Sequence, residues 1–545
     1  MISIMMQSRN PKCNALETVF GIFLHSTNTP QKVIEALSHM GISISVSAIR
    51  TAIHSLSLET HETLRAMGQT YLVGYAYDNF DIDFKTGVPT IEKIGDTLTH
   101  LTSGTLILLE HGVKQEDLKC SDELWAKSSL NPIQNSVQLE RTCKDLLNLH
   151  PEAEFPLSGL SRRQRYQSWK FRADLYAHGP KYFGKFKNSL GLPEEVDQIP
   201  VVKMRYAPAR SMDVNESTHA GNISAITDLL SQGGVGDPSE LTEKDKRTQW
   251  IQKTTSVLQY VVLFFGDLAT AERVMAVLQR RAIEGTPWRR FQFVVFVMGL
   301  FHLKMAAADA IWRIFLEPKN SREDPTSLMS FVSLHRPRET GKIGSAPGFR
   351  RMHEVIAHEG IALRLDAWTT EVRKRGACLT LEEFAATSPT EEKIVELSDY
   401  LAGHYVAGGQ ESADIFVIRT QTPAAQRDYQ HENILLMHKY LLLYEEMSFA
   451  LNQGDIGRVE TLFPPWITIF RGTGKHKYAS HMVKFLSDIY FLYPPKLRHA
   501  VRYNMLVNPT GLPGKFRGVD WVEESMINLY TKVNVILLIL SLLYN

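Results

Sequence analysis

The chain contains the stretch Tyr71-Leu-Val-Gly-Tyr-Ala-Tyr-Asp78, a short apolar run that ends in an aspartate. A second run of the same kind is Val257-Leu-Gln-Tyr-Val-Val-Leu-Phe-Phe-Gly-Asp267. Both are rich in β-branched and aromatic residues, which predicts buried strands rather than helices. Ligand sites of open α/β sheets lie at the carboxyl ends of strands, where both aspartates are expected. The alternative is that each aspartate caps the helix or turn that follows its strand.

Further apolar runs extend this pattern into a series of strands and helices. Strands are predicted at 100–110, 199–205 and 291–300, and helices at 220–230, 268–281 and 301–315. The predicted order is β β β α β α β α, with an aspartate at the carboxyl end of the first strand and another at the end of the fourth. This layout resembles the ribonuclease-H-like fold, which polynucleotidyl transferases, including many transposases, use. The predicted fold class is therefore an α/β core of ribonuclease-H-like type with a large insertion, embedded in a mostly α-helical protein.

These patterns divide the chain into four predicted segments. Residues 1–68 form a helical module with the outline of a helix-turn-helix, or alternatively a helical hairpin that serves packing only. The core occupies 69–316, with an insertion at about 115–195 between its second and third strands. A helical domain follows at 317–533. Residues 534–545 are apolar on every side but too short to span a bilayer, which indicates a non-native tail.

Composition and charge argue against several classes of protein. The formal net charge is +1, so nucleic-acid binding would have to come from local patches. The 4 cysteines are far apart, which argues against a disulfide framework and a cysteine-based zinc site. No signal peptide or membrane-spanning run is present, so we expect an intracellular location, the nucleus included, and no membrane partner. Neither a G-x-S-x-G elbow nor a strand-following G-x-G-x-x-G occurs, which disfavours α/β-hydrolases and dinucleotide enzymes.

The strand-end aspartates predict a metal site. Asp78 and Asp267 would coordinate one or two Mg²⁺ ions for phosphoryl transfer, with Asp81 as the alternate ligand from the first strand. A third ligand is expected from the helix after the fifth strand, where His302 lies in the first turn and Asp309 two turns further along. We favour His302 for its reach, whereas Asp309 could instead pair with neighbouring basic residues. A histidine that follows an apolar strand is also often a structural residue.

A basic, aromatic-rich segment lies within the predicted insertion. Ser161-Arg-Arg-Gln-Arg-Tyr-Gln-Ser-Trp-Lys-Phe-Arg172 is followed by Lys181-Tyr-Phe-Gly-Lys-Phe-Lys187. Basic side chains contact phosphates and aromatic rings stack on unpaired bases, so the segment predicts binding to nucleic acid, DNA in preference. The alternative is an amphipathic helix with buried aromatic rings and solvated charges. The predicted nucleic-acid-binding residues, which include a second basic cluster, are Arg162, Arg163, Arg165, Trp169, Lys170, Arg172, Lys181, Lys185, Lys187, Lys475 and Lys477.

Several stretches of the chain carry a further resemblance. They include Gly266-Asp-Leu-Ala-Thr-Ala-Glu-Arg273, Gly299-Leu-Phe-His-Leu-Lys-Met-Ala-Ala-Ala-Asp-Ala-Ile-Trp312 and Gly518-Val-Asp-Trp521. In these stretches the chain resembles a multi-copy fungal family known only as a domain of unknown function, numbered six-five-eight-nine. The resemblance runs from near residue 15 to about Val533 and implies no chemistry by itself, because the activity of that family is unassigned.

These features lead to one leading prediction and one alternative. The leading prediction is a mobile-element-derived nucleic-acid-processing protein, a Mg²⁺-dependent transposase or nuclease that cleaves phosphodiester bonds through a two-carboxylate metal site. The alternative is a catalytically inactive relative that binds nucleic acid or protein as a scaffold. Proximity of Asp78 and Asp267 would favour the first, and a wide separation would favour the second. The oligomeric state is left open.

Overall fold

The computed structural model describes residues 14–27, 29–83, 98–133, 143–152, 157–240, 255–376, 378–408 and 415–533 of the 545-residue chain. The protein is mostly helical, at 61%, with a small mixed sheet. Within the described part of the chain, no helix combines the length and the apolar character needed to cross a membrane. The predicted apolar tail at 534–545 lies outside the described residues.

Nine strands occur in the described residues. They are β1 (Val73–Asp83), β2 (Leu98–Leu108), β3 (Tyr206–Pro208), β4 (Val235–Gly236), β5 (Thr255–Ser256), β6 (Val262–Gly266), β7 (Val294–Met298), β8 (Leu506–Val507) and β9 (Arg517–Gly518).

The α-helices are numbered in the same way, over the described residues alone. They are α1 (Ala15–Ser26), α2 (Gln31–His39), α3 (Val46–Gly68), α4 (Ser121–Lys127), α5 (Arg162–His178), α6 (His219–Gln232), α7 (Leu268–Arg281), α8 (Leu300–Phe315), α9 (Leu328–His335), α10 (Thr340–Ser345), α11 (Gly348–Lys374), α12 (Leu381–Ala386), α13 (Glu391–His404), α14 (Ile415–Gln421), α15 (Tyr429–Gln453), α16 (Ile456–Gly472), α17 (His476–Ser487), α18 (Pro495–Tyr503) and α19 (Val519–Val533).

The main sheet has five strands in the order β3-β2-β1-β6-β7. The pairs β1–β2 and β2–β3 are antiparallel, whereas β1–β6 and β6–β7 are parallel. Helices α6, α7 and α8 follow β3, β6 and β7, so the chain order of these elements is the one that the apolar runs predict. The third strand differs from its prediction, because Tyr206–Pro208 begins just after the expected 199–205 segment.

The sheet buries apolar side chains for the reason that its sequence suggests. Every residue of β6 is buried, and so are Tyr75 and Tyr77 of β1. Tyr75 stacks on Phe264, with ring centroids 5.3 Å apart. Because side chains alternate between the two faces of a strand, the tyrosines occupy one face of β1 and Asp78 belongs to the other.

The chain folds into two compact units whose boundaries differ from the predicted domains. Unit 1 comprises 1–139, 201–302 and 487–545, and unit 2 comprises 140–200 and 303–486. The physical reason is packing between segments that are distant in sequence. In unit 1, α19 packs on β1, β2 and β6, and α3 packs on β2, β3 and α6, so segments distant in sequence pack around the same sheet. In unit 2, α5 packs on α11 and α13, so the predicted insertion joins the helical segment.

The N-terminal residues form the predicted helix, glycine turn and helix. Gly41 has a φ of 70° in the turn between α2 and α3, a backbone conformation that glycine adopts without steric cost. The Ser45 side chain accepts a hydrogen bond from the Ala48 N–H and caps α3. Ile34, Ile44 and Ile49 form a small buried core between these helices. This packing agrees with a helical hairpin, and it leaves the helix-turn-helix function as a prediction.

Candidate metal centre

Asp78 and Asp267 lie at the end of the central parallel pair of strands. The last paired residues of β1 and β6 are Ala76 and Phe265, and each aspartate comes two residues later in the chain. Asp267 directly follows β6, as predicted, whereas Asp78 lies inside β1, because this strand continues to Asp83 in its pairing with β2. Equivalent positions on neighbouring parallel strands point to the same face and lie about 5 Å apart. Burial and then the negative charge of Asp267 raise the pKa of Asp78 to about 7. The structure therefore brings the two predicted aspartates together.

Asp267 also has the capping role that the sequence offers as an alternative. It is the N-cap residue of α7, and its Oδ1 accepts a hydrogen bond of 2.7 Å from the Thr270 N–H. This bond fixes the orientation of the carboxylate at the end of β6. Capping and ligand binding are compatible, because a carboxylate has two oxygens and four lone-pair sites.

His302 lies in the first turn of α8, as predicted, and a buried carboxylate holds its ring. Its Nδ1 lies 3.0 Å from Oδ2 of Asp520, which belongs to the first turn of α19. Burial alone would lower the pKa of His302. The hydrogen bond and charge of Asp520, followed by the charges of Asp78 and Asp267, outweigh burial and raise that pKa to about 9.

Glu524 completes the group from the far end of the chain. Helix α19 packs across β1, β2 and β6, and Glu524 lies one turn after Asp520 on this helix. Asp78, His302 and Glu524 each offer one ligand atom, and these atoms all lie within 4.8 Å of one another. Two carboxylate oxygens and an imidazole nitrogen at this spacing can surround one divalent cation.

Two more buried carboxylates surround this group. Glu216 precedes α6, is 2% exposed and accepts a hydrogen bond from Thr270 Oγ1, while its Oε2 is buried without a hydrogen-bond partner among the described residues. Burial and then the charges of Asp78 and Asp267 raise the pKa of Glu216 to about 8. The charges of the two aspartates thus add to burial at Glu216, against a lowering contribution from Arg273.

Glu523, the neighbour of Glu524 on α19, has a similar environment. It accepts a hydrogen bond from Ser103 Oγ on β2 and a side-chain hydrogen bond from Thr105 on the same strand. Burial raises the pKa of Glu523 to about 7 against the lowering effect of these two hydrogen bonds, with smaller upward contributions from the charges of Asp78 and Glu524. Buried like charges of this kind are costly unless a cation compensates them. The donor set and its charge therefore fit a divalent metal ion.

The structure places two other predicted ligands outside this group. Asp81 is exposed and lies 2.7 Å from His100 Nδ1. Its odd spacing from Asp78 puts it on the opposite face of the strand. Asp309 forms ion pairs with Arg313 at 2.8 Å and Lys475 at 2.6 Å, within unit 2.

Sequence reasoning missed Glu216, Asp520, Glu523 and Glu524. A signal for three of them was present in Gly518-Val-Asp-Trp-Val-Glu-Glu524, which places three acids within about two turns of one helix. Nothing local in that stretch indicates that it packs against β1. The ligand from α19 therefore depends on the tertiary structure.

The arginines of the basic insertion are engaged inside unit 2. Arg162 and Arg165 both pair with Glu194, at 2.9 and 2.6 Å. Arg163 donates to the Thr461 carbonyl and lies 3.4 Å from Glu446. The start of α5 is therefore a packed helix, as in the alternative, but its arginines are ion-paired rather than solvated.

The remaining residues of the insertion divide between internal and exposed positions. Lys170 pairs with Asp174 at 2.7 Å, and the Trp169 indole N–H donates to the Gly191 carbonyl. Arg172 is half-buried. The exposed cations are Lys181, Lys185 and Lys187, which lie on and beside a 3₁₀ segment (Lys181–Phe186), and Lys185 lies over the Tyr182 ring at 3.7 Å. In the second basic cluster, Lys475 pairs with Asp309 and Lys477 is exposed.

Comparison with known protein families gives one match. The model of a family of unknown function (DUF6589) matches residues 142–535, and the chain belongs to that family. The matched region contains Asp267, His302, Asp520 and Glu524, while Asp78 precedes it. Neither the curated proteins nor the solved structures yielded a match.

Proposed function

We propose that this member of the family of unknown function is a mobile-element-derived, metal-dependent enzyme that cleaves phosphodiester bonds in nucleic acid. The observation that carries the proposal is the convergence of Asp78, His302 and Glu524, with Asp267 beside them, at the end of the central strands. A site built from such acids is suited to hold divalent cations against a phosphate.

The sheet supports a ribonuclease-H-like core for this enzyme. Three consecutive antiparallel strands joined to a parallel pair through β1, in the order β3-β2-β1-β6-β7, is the arrangement of that fold. In chain order β1 is the first of these five strands and contains Asp78, and β6 is the fourth and is followed directly by Asp267. In this proposal the helical residues 303–486 form an insertion between β7 and α19, and α19 supplies the third carboxylate.

Each side chain has a definable task in this proposal. Asp78, Asp267 and Glu524 would hold Mg²⁺ through oxygen, and His302 adds a nitrogen ligand that also suits Mn²⁺. A bound divalent cation would polarise the phosphoryl oxygens and lower the pKa of an attacking water. The hydrogen bond from the Thr270 N–H keeps the Asp267 carboxylate oriented, so little reorganisation accompanies binding.

The proposed substrate is DNA, with the exposed part of the insertion as one contact surface. Lys181, Lys185 and Lys187 are exposed cations, and Tyr182 and Phe186 lie among them. Such a mixture of cations and aromatic rings binds unpaired nucleic acid through phosphate contacts and stacking. The ion-paired Arg162, Arg163 and Arg165 contribute less, because their guanidinium groups already have carboxylate or carbonyl partners.

The proposal is tested by metal binding and cleavage with the full-length chain. We expect Mn²⁺ binding in titration calorimetry, and cleavage of single- or double-stranded DNA in the presence of Mg²⁺ or Mn²⁺. Asp78→Asn, Asp267→Asn and Glu524→Gln should each weaken Mn²⁺ binding and reduce cleavage to background. The matched control is Asp228→Asn, which changes a partly exposed acid of α6 paired with Arg210.

Two results would separate this proposal from the scaffold alternative. DNA binding without cleavage, unaffected by the three substitutions, would favour an inactive nucleic-acid-binding relative. Absence of Mn²⁺ binding by the wild-type protein would contradict the metal centre itself. RNA substrates of the same sequence show whether cleavage depends on the sugar.

A further inference from the structure

We infer that Asp520 is a positioning residue that joins the two ligand-bearing helices of the metal centre, an inference that rests on the proposed function. Asp520 is 4% exposed and lies in the first turn of α19. Its Oδ1 accepts a hydrogen bond of 3.0 Å from the Phe301 N–H, and its Oδ2 accepts one of 2.8 Å from the His302 N–H. The carboxylate from α19 therefore accepts from two of the N–H groups in the first turn of α8, which have no partner within that helix.

The third contact of Asp520 is to a side chain. Oδ2 also lies 3.0 Å from Nδ1 of His302, so the same oxygen that caps α8 also orients the imidazole ring. Because Nδ1 is engaged in this way, Nε2 is the ring nitrogen left to face the cation. A carboxylate that holds the second nitrogen of a ligand histidine sets both its tautomer and its orientation.

Two glycines make room for this carboxylate. A Cβ on Gly299, immediately before α8, would lie 2.3 Å from Oδ2 of Asp520. A Cβ on Gly518, two residues before Asp520, would lie 2.6 Å from Oδ1. Any larger residue at either position would force the carboxylate to move. The contact between Asp520 and the start of α8 therefore depends on a glycine next to each partner.

The geometry connects Asp520 to the second ligand as well. Glu524 is four residues after Asp520, which places both side chains on the same face of α19, one turn apart. Fixing Asp520 on α8 therefore also fixes the distance between Glu524 and His302, whose ligand atoms belong to one group with Asp78. Asp520 thus aligns two ligands without contacting the cation.

The first test is Asp520→Asn, measured as Mn²⁺ affinity by titration calorimetry on the full-length chain. Asparagine keeps the volume but removes the negative charge, and because its NH₂ group only donates, it cannot accept from both the Phe301 N–H at one end and the His302 groups at the other. We expect Mn²⁺ affinity to fall by about 10–100-fold, the usual effect of losing such a supporting carboxylate. Asp228→Asn is the control, and its Mn²⁺ affinity should stay within about twofold of wild type.

A spectroscopic readout separates positioning from a general effect on folding. In Zn²⁺-loaded wild-type protein labelled with ¹⁵N-histidine, His302 should show a protonated Nδ1 and a metal-bound Nε2. His302→Gln assigns the signal. A wild-type spectrum with Nδ1 bound to the metal would overturn the inference whatever the variants do.

Gly299→Ala provides a second variant that removes no polar group. The added methyl displaces the Asp520 carboxylate, so Mn²⁺ affinity should fall in the same direction as in Asp520→Asn. Circular dichroism shows whether each variant folds. If one variant does not fold, the Mn²⁺ affinity of the other and the histidine spectrum of the wild type test the positioning role. Wild-type affinity in both folded variants would overturn the inference.

The outcomes for this inference and for the proposed function are distinguishable. If the wild-type chain binds neither Mn²⁺ nor Zn²⁺, the metal centre fails and the role of Asp520 fails with it. If the wild-type chain binds Mn²⁺ while Asp520→Asn retains affinity and spectrum, the metal centre stands and only the positioning role is wrong.

Discussion

Units 1 and 2 bury charged side chains in opposite ways. In unit 2, Arg364 is fully buried between Asp174 and Glu445, and its Nη2 lies 2.9 Å from Glu445 Oε1. In unit 1, by contrast, the charge of Asp267 adds to burial in raising the pKa of both Asp78 and Glu216. The buried arginine of unit 2 has carboxylate partners, whereas the carboxylates of the candidate metal centre in unit 1 outnumber the cations beside them, His302 and Arg273.

A second buried arginine of unit 2 follows the same rule. Arg458 pairs with Glu446 at 2.8 Å and with Asp455 at 3.3 Å, and Asp455 also caps α16. Such pairs connect helices and satisfy the folded state without any ligand. The acids of the candidate metal centre in unit 1 have hydrogen-bond donors but fewer cations beside them, so we expect a bound cation to add compensation there, and this difference distinguishes a functional charge cluster from structural ion pairs.

The largest expected effect is the loss of a paired charge in unit 2. Arg364→Met removes the guanidinium and leaves Asp174 and Glu445 with Lys170 as their remaining described ion-pair partner, so the free energy of unfolding should fall by about 3–5 kcal/mol. Urea denaturation followed by circular dichroism measures this change. Lys393→Ala, which breaks an exposed pair with Glu396, should cost at most about 0.5 kcal/mol. Equal effects of the two substitutions would contradict the comparison.

Removal of an acid from unit 1 should have the opposite sign. The pKa of Asp78 is raised from 3.8 to about 7, so the metal-free folded state holds its proton more tightly than the unfolded state, and stability falls as pH rises through this window. Asp78→Asn should therefore stabilise the protein in EDTA at about pH 8, by about 1–3 kcal/mol. With saturating Mn²⁺ the wild type should regain or exceed the stability of the variant. Destabilisation by Asp78→Asn in EDTA would show that the acids are already compensated.

The buried histidine of unit 2 should show the reverse pH dependence. Burial and then the charge of Arg364 lower the pKa of His438 from 6.5 to about 3, so the unfolded state takes up a proton first as the pH falls. Stability should decrease below about pH 6.5, by at most about 1.4 kcal/mol per pH unit from this group. His438→Gln should reduce that slope in denaturation curves between about pH 6.5 and 5. An unchanged slope would mean that His438 is already accessible to protons.

The smallest effect concerns the exposed cations of the insertion. Replacing Lys181, Lys185 and Lys187 by alanine should lower affinity for single-stranded DNA and reduce the slope of log affinity against log salt by about 2. Thermal stability should be unchanged, because these side chains are exposed. Arg165→Ala should do the opposite, with a stability loss of about 0.5–1 kcal/mol through Glu194 and little change in DNA affinity. If Arg165→Ala lowers DNA affinity and the triple lysine variant does not, the ion-paired arginines would be the DNA-binding surface.

The sequence predicts the sheet well because strand formation leaves a local pattern. Buried β-branched and aromatic runs identify β1, β2, β6 and β7. Asp78 and Asp267 are recognisable because each directly follows one of these runs. The helix after the fifth strand is equally visible, and so is His302 in its first turn. The pattern predicts the third strand several residues too early, because Val201 and Val202 suit a strand but lie in an exposed segment without regular secondary structure.

The basic insertion shows the limit of composition. Its pattern of arginines and aromatic rings suits both a nucleic-acid surface and a helix packed in a core. Only the positions of Glu194 and Glu446 decide that the arginines of α5 are ion-paired. Those partners come from other segments of the chain, so their proximity leaves no trace in the spacing of the arginines.

The sequence by itself therefore determined the approximate positions of β1, β2, β6 and β7, their order along the chain, and the two aspartates that follow the apolar runs of β1 and β6. Only the tertiary structure decided that α19 returns to the sheet, that Glu524 joins Asp78 and His302, and that Asp520 holds His302 from 218 residues away. Local patterns record which side of a strand or helix is buried, because burial repeats with the period of the element. The choice of partner across hundreds of residues depends on how the packed elements meet, and no periodicity encodes it.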